Sequence, residues 1–208
     1  MRTIANEIEA DVLEEGYKNA SRAVGTAGTT PFGSDFDVVA EARQILVDNG
    51  TPTDNQISMV LNTLAGTKLR NLAQLQKVNE SGGGELLRQG ALLDLQGIML
   101  KESAGVQSHT KGTGTNYDTN GALAVGATVI TADTGADTVV PGDVVTFAGD
   151  SVNKYVVVEA LTDGSFEIAS PGLRVAIADG ADIVVGNNYT GNIAFHRNAI
   201  EQIGRAHV

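Results

Sequence analysis

From about Val106 the chain loses all helical spacing. The runs "ALAVGATVITA", "DVVTFAG", "KYVVVEAL", "SFEIA", "LRVAIA" and "DIVVG" are short, rich in β-branched residues and separated by Gly, Asp, Asn and Pro. That texture predicts about five to seven short strands forming a small barrel or sandwich. The turn chemistry agrees, because "PGD" at Pro141 to Asp143 and "TDGS" at Thr162 to Ser165 pair a residue that presets φ or favours turns with a glycine that accepts positive φ.

The first half reads differently. Ile4, Ile8, Val12, Tyr17, Ala20 and Val24 fall near one face at helical spacing, with acids elsewhere, which predicts an opening amphipathic helix. It should end in the loop "VGTAGTTPFG". Ser34 followed by Asp37 resembles a capping box and predicts a second helix through Val38, Val39, Ala42, Ile45 and Leu46, ended by Asn49-Gly50. Ile57, Met59 and Leu61 alternate as a strand, and Leu64, Leu69, Leu72 and Leu75 return to helical spacing as a core stripe. A brief helical turn is expected at Leu86 and Leu87. Ala91 to Ser103 carries one or two further strands, with Ile98 and Leu100 facing opposite to Met99. The closing run "NIAFHRNAI" alternates like a buried strand but has no place to bury itself in the β-rich half. Residues 106–191 are therefore read as an insertion whose exit strand, within residues 192–202, rejoins the first half.

Composition narrows the chemistry. Among 208 residues, 42% are hydrophobic but only 4% aromatic, with no tryptophan, so the core must be built from Val, Ile, Leu and Ala. With no cysteine, disulfides, thiolate nucleophiles and zinc-thiolate sites are excluded. The N-terminus lacks the apolar core of a signal peptide, and no stretch approaches the roughly 20 apolar residues of a spanning helix. The net charge is −11, and residues 121 to 192 hold nine acids against Lys154 and Arg174. Such a surface repels phosphate and carries no basic stripe for gripping nucleic acid, although a shell around DNA need not grip it.

No catalytic motif emerges. His109, His196 and His207 have no carboxylate or histidine at metal-ligand spacing, and each reads as structural. "KGTGTN" at Lys111 to Asn116 lacks the phosphate-loop spacing and reads as a flexible connector. The acids near turns follow no calcium-loop pattern, and Asp is itself a favoured turn residue. No G-x-S-x-G elbow presents a serine. Neither catalysis nor a cofactor is expected.

The segment "MVLNTLAGTKLRNLAQLQKVNESGGGELLRQGALLDLQGIMLKESAGVQSHTKGTGTNY", continuing through "GDVVTFAGDSVNKYVVV", "SPGLRVAIA" and "NIAFHRNAI", resembles the major capsid (coat) proteins of tailed bacteriophages, of the podovirus type that carries an extra β-domain. The resemblance covers almost the whole chain. It implies an α+β subunit with a capsid core of the Hong Kong 97 type and an inserted small antiparallel β-barrel-like domain. On that template residues 1–32 are the spine helix and connector, 33–105 the mixed α/β capsomer-centre domain, 106–191 the insertion and 192–202 the return strand. The implied work is self-assembly into an icosahedral head enclosing double-stranded DNA, without sequence-specific contact. The implied partners are other copies of the chain, a scaffolding protein and a portal, with no membrane. Location in the virion, after synthesis in the host bacterial cytoplasm, follows.

Family members begin with an arm and an extended loop before the spine and continue beyond the "AFHR" strand. The final residues have their own reading: Gln202 and "IGRAHV" can be encoded by CAG ATC GGA AGA GCA CAC GTC, which resembles a common sequencing-library adapter. Residues 203–208 are accordingly expected to be a non-native tail, and this chain is expected not to form a shell by itself.

If assembly is the work, the functional residues are interfacial. The candidates are Thr26, Thr29, Thr30 and Phe32 in the first loop, Asn79, Glu80 and Ser81 in the glycine-rich turn, Asp133, Asp150 and Asp163 on the acidic rim of the insertion, and Ile193 and Phe195 as an exposed apolar face. Two rivals remain. A stand-alone β-rich binding module, for example for carbohydrate, would need Phe147, Tyr155, Phe166 or Tyr189 as platforms. An acid-dependent hydrolase would need paired carboxylates about 5 to 9.5 Å apart.

Overall fold

The computed structural model describes residues 2–76, 94–161 and 164–199. In chain order the elements are α1 (Arg2–Lys18), β1 (Arg22–Ala23), α2 (Asp37–Asp48), β2 (Ile57–Leu61), α3 (Thr63–Arg70), α4 (Ala73–Gln76), β3 (Asp94–Leu95), β4 (Ile98–Glu102), β5 (Ser108–His109), β6 (Tyr117–Thr119), β7 (Val129–Ile130), β8 (Ala132–Asp133), β9 (Val144–Phe147), β10 (Asp150–Ala160), β11 (Phe166–Ile168), β12 (Asp182–Val185), β13 (Tyr189–Thr190) and β14 (Ile193–His196). The chain divides into two compact units, Met1–Pro31 with Ala104–Gly191, and Phe32–Ser103 with Asn192–Val208. The fold is mixed and β-rich, with few helices.

The first unit is built on a sheet that closes on itself. Its strands run in the order β7-β11-β10-β9-β12-β6-β8, with β1 added against β10. The two ends of that path, β7 and β8, are separated in sequence by Thr131 alone. Residues 129–133 therefore form one run whose first part pairs with β11 (Val129 opposite Glu167) and whose second part pairs with β6 (Ala132 opposite Thr119). Pairing the same short run on both sides removes the free edges that an open sheet leaves. The barrel is filled by alternating inward residues, among them Ile130, Val145, Phe147, Tyr155, Val157, Phe166, Ile168, Leu173 and Ile183. Phe147 and Tyr155 meet edge to face at 5.7 Å between centroids, a favoured aromatic geometry. "LRVAIA" does not become a strand. Its Ile177 makes a single antiparallel bridge with Leu123, because Pro171 and Gly172 just before it turn the backbone.

Helix α1 belongs to this unit, and of the residues its spacing singles out Tyr17 is buried while Ile4 and Ile8 are not. Leu13 and Tyr17 are each 6% exposed, whereas Ile4 and Ile8 are 61% and 41% exposed. Only the last two turns of the helix pack, so the apolar residues of the first two turns meet solvent. The helix also stops at Lys18, before Ala20 and Val24, because the chain leaves it to pair β1 with β10 (Arg22 opposite Tyr155).

The second unit holds a four-stranded sheet in the order β14-β2-β4-β3. Strand β2 is central, parallel to β4 (Ile57 opposite Ile98) and antiparallel to β14 (Ile193 opposite Val60). Alternation decides which face is buried. Ile57, Met59, Leu61, Ile98 and Leu100 are all buried, while Met99 is 40% exposed. Helix α2 forms where its apolar spacing predicts, but the capping box does not. Ser34 bonds instead to the neighbouring Asp35 carboxylate, and the N-cap residue is Phe36 with no side-chain cap. The leucine stripe is split into α3 and α4, Asn62 capping α3 through the Ala65 amide at 2.9 Å. Leu69, Leu72 and Leu75 are buried, whereas Leu64, in the first turn of α3, is 53% exposed. The turn expected at Leu86 and Leu87 lies outside the described residues.

Candidate functional site

A densely bonded buried acid in the first unit is Asp143, the last residue of the "PGD" turn. Its side chain is fully buried. Oδ1 accepts from Nε2 of His109 at 2.8 Å and from the Gly112 amide at 3.1 Å, and Oδ2 accepts from the Gly112 and Val140 amides at 3.1 and 2.9 Å. A buried carboxylate is stable in its ionised form only when donors surround it in this way. The consequence for "KGTGTN" is direct. The Gly114 amide bonds Thr138 at 2.8 Å, the Lys111 amide bonds the Asn188 side chain at 3.0 Å, and a Cβ on Gly112 would lie 2.4 Å from the Thr138 carbonyl oxygen. The segment expected to be a flexible connector is clamped against the barrel wall, and Gly112 is there because nothing larger fits.

Aromatic rings cover the His109 imidazole. Tyr17 stands edge-on to it at 5.7 Å and Tyr189 tilts against it at 5.1 Å. Gly142, at φ 97°, passes so close that a Cβ would come within 3.0 Å of Nδ1, so no larger residue fits at that turn position. The Tyr189 hydroxyl donates to the Gly142 carbonyl at 2.6 Å. Burial, then the neighbouring Tyr17 and Asp143, push its pKa well above the ordinary phenol value. The arrangement is a staple: an acid, a histidine and two tyrosines joining α1, β5, β13 and the turn before β9. The Tyr189 hydroxyl is committed to the Gly142 carbonyl and the His109 imidazole is buried against the two rings, so the cluster ties these segments together.

A second buried acid behaves alike. Asp150 is 4% exposed. Its Oδ2 accepts from the Tyr155 hydroxyl at 2.6 Å, and its Oδ1 accepts from the Asn153 amide and side chain at 3.2 and 2.9 Å. The Tyr155 hydroxyl in turn accepts from the Arg174 amide at 2.9 Å. Burial and then the Asp150 hydrogen bond push the Tyr155 pKa up to about 12. In the second unit His196, also buried, bonds Asp54 through Nε2 at 3.0 Å and accepts the Asn198 amide at Nδ1 at 3.3 Å. Both described histidines thus serve as hydrogen-bonded supports. Among the described residues no group of three or more His, Cys, Asp or Glu forms a metal cluster, and no helix is long and apolar enough to cross a membrane.

The sequence-selected interface residues separate into different environments. Thr26 and Thr29 are exposed, bonded to each other within one turn through the Thr26 carbonyl, and Thr30 is half-buried. Asp133 is exposed at the end of β8. Three others are not surface residues: Phe32 is 3% exposed, Asp150 is held inside the Tyr155 network, and Ile193 is 7% exposed because it faces the core side of β14. Phe195 is half-buried on the same edge strand. Asn79, Glu80, Ser81 and Asp163 lie outside the described residues. The aromatic platforms required for carbohydrate binding are also absent from the surface. Phe147, Tyr155 and Phe166 are at most 2% exposed, and Tyr189 is committed to the staple.

No protein-family model matches the chain, and no curated protein matches it. Among solved structures it is similar to a chain from Mycobacterium phage Che8, with 15% sequence identity and a TM-score of 0.45. The alignment covers 93% of this chain and 59% of that one, so the chain spans less than two thirds of the structure it matches.

Proposed function

We propose that this chain is a non-catalytic structural subunit, the major capsid protein of a tailed bacteriophage, with a Hong Kong 97-type core carrying an inserted β-barrel. One observation carries the reading. Strands β4 and β14 flank the same central strand β2, and the whole of residues 104–191, with its own closed sheet, enters the sequence between them. An inserted β-domain followed by a strand that rejoins the first part of the chain is what the coat-protein resemblance implies. The barrel's interior is filled with side chains, which favours a structural part over a container for ligand.

In this role copies of the chain pack laterally into capsomers and close an icosahedral head around double-stranded DNA, with a scaffolding protein and a portal as assembly partners. The acidic insertion suits a subunit that encloses DNA without holding it. The rival carbohydrate module is disfavoured by the burial of its aromatic platforms. Long-read sequencing of the parent DNA tests the proposal: scaffolding-like and portal-like genes beside this frame are expected, and a neighbourhood of sugar-degrading or transport genes would overturn it.

A further inference from the structure

The barrel presents one surface whose chemistry is not used within the chain. Beyond β6 and before β12, residues 123–127 and 173–177 run antiparallel as a ribbon. It is held by Leu123 and Ile177, which exchange both amide bonds at 2.9 Å, and by the Gly126 amide on the Leu173 carbonyl at 2.7 Å. Leu123, Leu173 and Ile177 point into the barrel and are buried. The outward residues are Ala124, Val125, Val175 and Ala176, all exposed, with Val125 at 64% and Val175 at 42%. Arg174 stands among them. Its amide bonds Tyr155, but among the described residues its guanidinium meets no acid. That is unusual in a segment where nine acids face two bases and where the other base, Lys154, is tied to the Gly25 carbonyl.

The opposite end of the barrel has the complementary character. A cleft of about 170 Å³ is lined by Tyr117, Asp133, Thr134, Asp137 and Gly164, with Asp118 bonded to Thr134 beside it. Three strands fix the two features at opposite ends. β6 starts at the cleft with Tyr117 and leads to the ribbon, β11 starts just after Gly164 and leads to the ribbon, and the run 129–133 leaves the ribbon and ends at Asp133.

We infer that the Arg174 ribbon is a contact surface for a second copy of this chain and docks on the acidic end of the neighbouring barrel. This rests on the self-assembly reading above and deepens it. Charge chooses the occupant and the symmetry. A two-fold contact of ribbon on ribbon would set Arg174 against Arg174, whereas ribbon on cleft buries four small apolar side chains and gives the guanidinium carboxylates. A contact between two different faces is heterologous, and repeated copies close into a ring when the rotation allows.

The absence of cysteine makes the test clean. Two full-length variants are prepared, Val125→Cys on the ribbon and Ala136→Cys on the cleft rim, and the reduced proteins are oxidised each alone and as an equimolar mixture. The expected result is a disulfide-linked dimer in the mixture and not in either variant alone. Adding Arg174→Glu to the ribbon variant should lower the yield about tenfold, the equivalent of roughly 1.4 kcal/mol. Partial recovery is expected when the cleft variant also carries Asp133→Lys. Cross-linking of Val125→Cys with itself, no dimer in the mixture, or a yield indifferent to Arg174→Glu would overturn the inference. The readout is a pair of copies and not a shell, so failure of the capsid reading, judged from neighbouring genes, is scored separately.

Discussion

Oδ1 of Asp143 and Nε2 of His109 lie 2.8 Å apart with both side chains buried, 34 residues apart in sequence. This pair joins the clamped loop to the turn that starts β9. Removing one member leaves the other's donors or charge buried without a partner, which typically costs about 3 to 5 kcal/mol. Asp143→Ala is therefore expected to lower the unfolding free energy by that amount, read by chemical denaturation, with His109→Ala smaller because the Gly112 and Val140 amides still serve the carboxylate. An Asp143→Ala unfolding free energy within about 0.5 kcal/mol of the parent would show that the staple is not structural.

All four tyrosines have raised pKa values, in each case with burial as the largest cause: Tyr17, Tyr117, Tyr155 to about 12, and Tyr189. A raised folded value means the fold holds the proton longer than the unfolded chain does. The stabilisation from Tyr155 is complete below about pH 10, where both states are protonated, and declines as pH rises from 10 through about 12. With no tryptophan in the chain, the near-ultraviolet spectrum reports tyrosine cleanly. Near pH 10 the folded protein is expected to show less tyrosinate absorbance than the unfolded chain, with Tyr155 and Tyr189 still protonated. A normal titration of one or more tyrosines at pH 10 in folded protein would contradict this packing.

Tyr155→Phe keeps the ring against Phe147 and deletes the hydroxyl that bridges Asp150 and the Arg174 amide. Two buried groups lose a partner, so a loss of about 1 to 3 kcal/mol is expected by chemical denaturation. A neutral result would mean water replaces the hydroxyl.

The closed seam predicts exchange behaviour. The Ile168 amide bonds the Thr128 carbonyl at 2.8 Å and the Asn120 amide bonds the Thr131 carbonyl at 2.9 Å, one on each side of the closing run. Both should exchange as slowly as amides of the interior strand β10, since neither belongs to a free edge. Exchange at loop rates would mean the barrel is open there.

The two ends of α1 should respond oppositely to truncation. Leu13→Ala, in the packed turns, is expected to cost about 2 to 4 kcal/mol, and the pair Ile4→Ser with Ile8→Ser within about 0.5 kcal/mol. Equal costs would show that the first turns of the helix pack as well.

Where one residue pattern repeats over several positions, the sequence was legible. The alternation of Ile57, Met59 and Leu61 and the opposed faces of Ile98, Met99 and Leu100 appear as predicted, because a half-buried strand writes its period directly into burial. The strands β1, β5, β6 and β13 were not legible, since elements of two or three residues carry no period and are fixed by their partners. Asp143 and Asp150 looked like turn residues because Asp favours turns whether its side chain faces water or not. Only the approach of distant groups, Gly112 to one and Tyr155 to the other, decides which. Ile4 and Ile8 misled for the related reason that periodicity marks an apolar face without saying what covers it.

The central claim is that a capsid core carries this barrel as an insertion. Cryo-electron microscopy of the protein, co-expressed with any scaffolding-like gene found beside its reading frame, tests it most directly. The account predicts closed particles of uniform diameter in which each subunit shows a barrel of density leaving the sheet after Glu102 and returning at Ile193. Monodisperse protein with no particles under those conditions, or shells whose subunits lack a barrel at that junction, would contradict it.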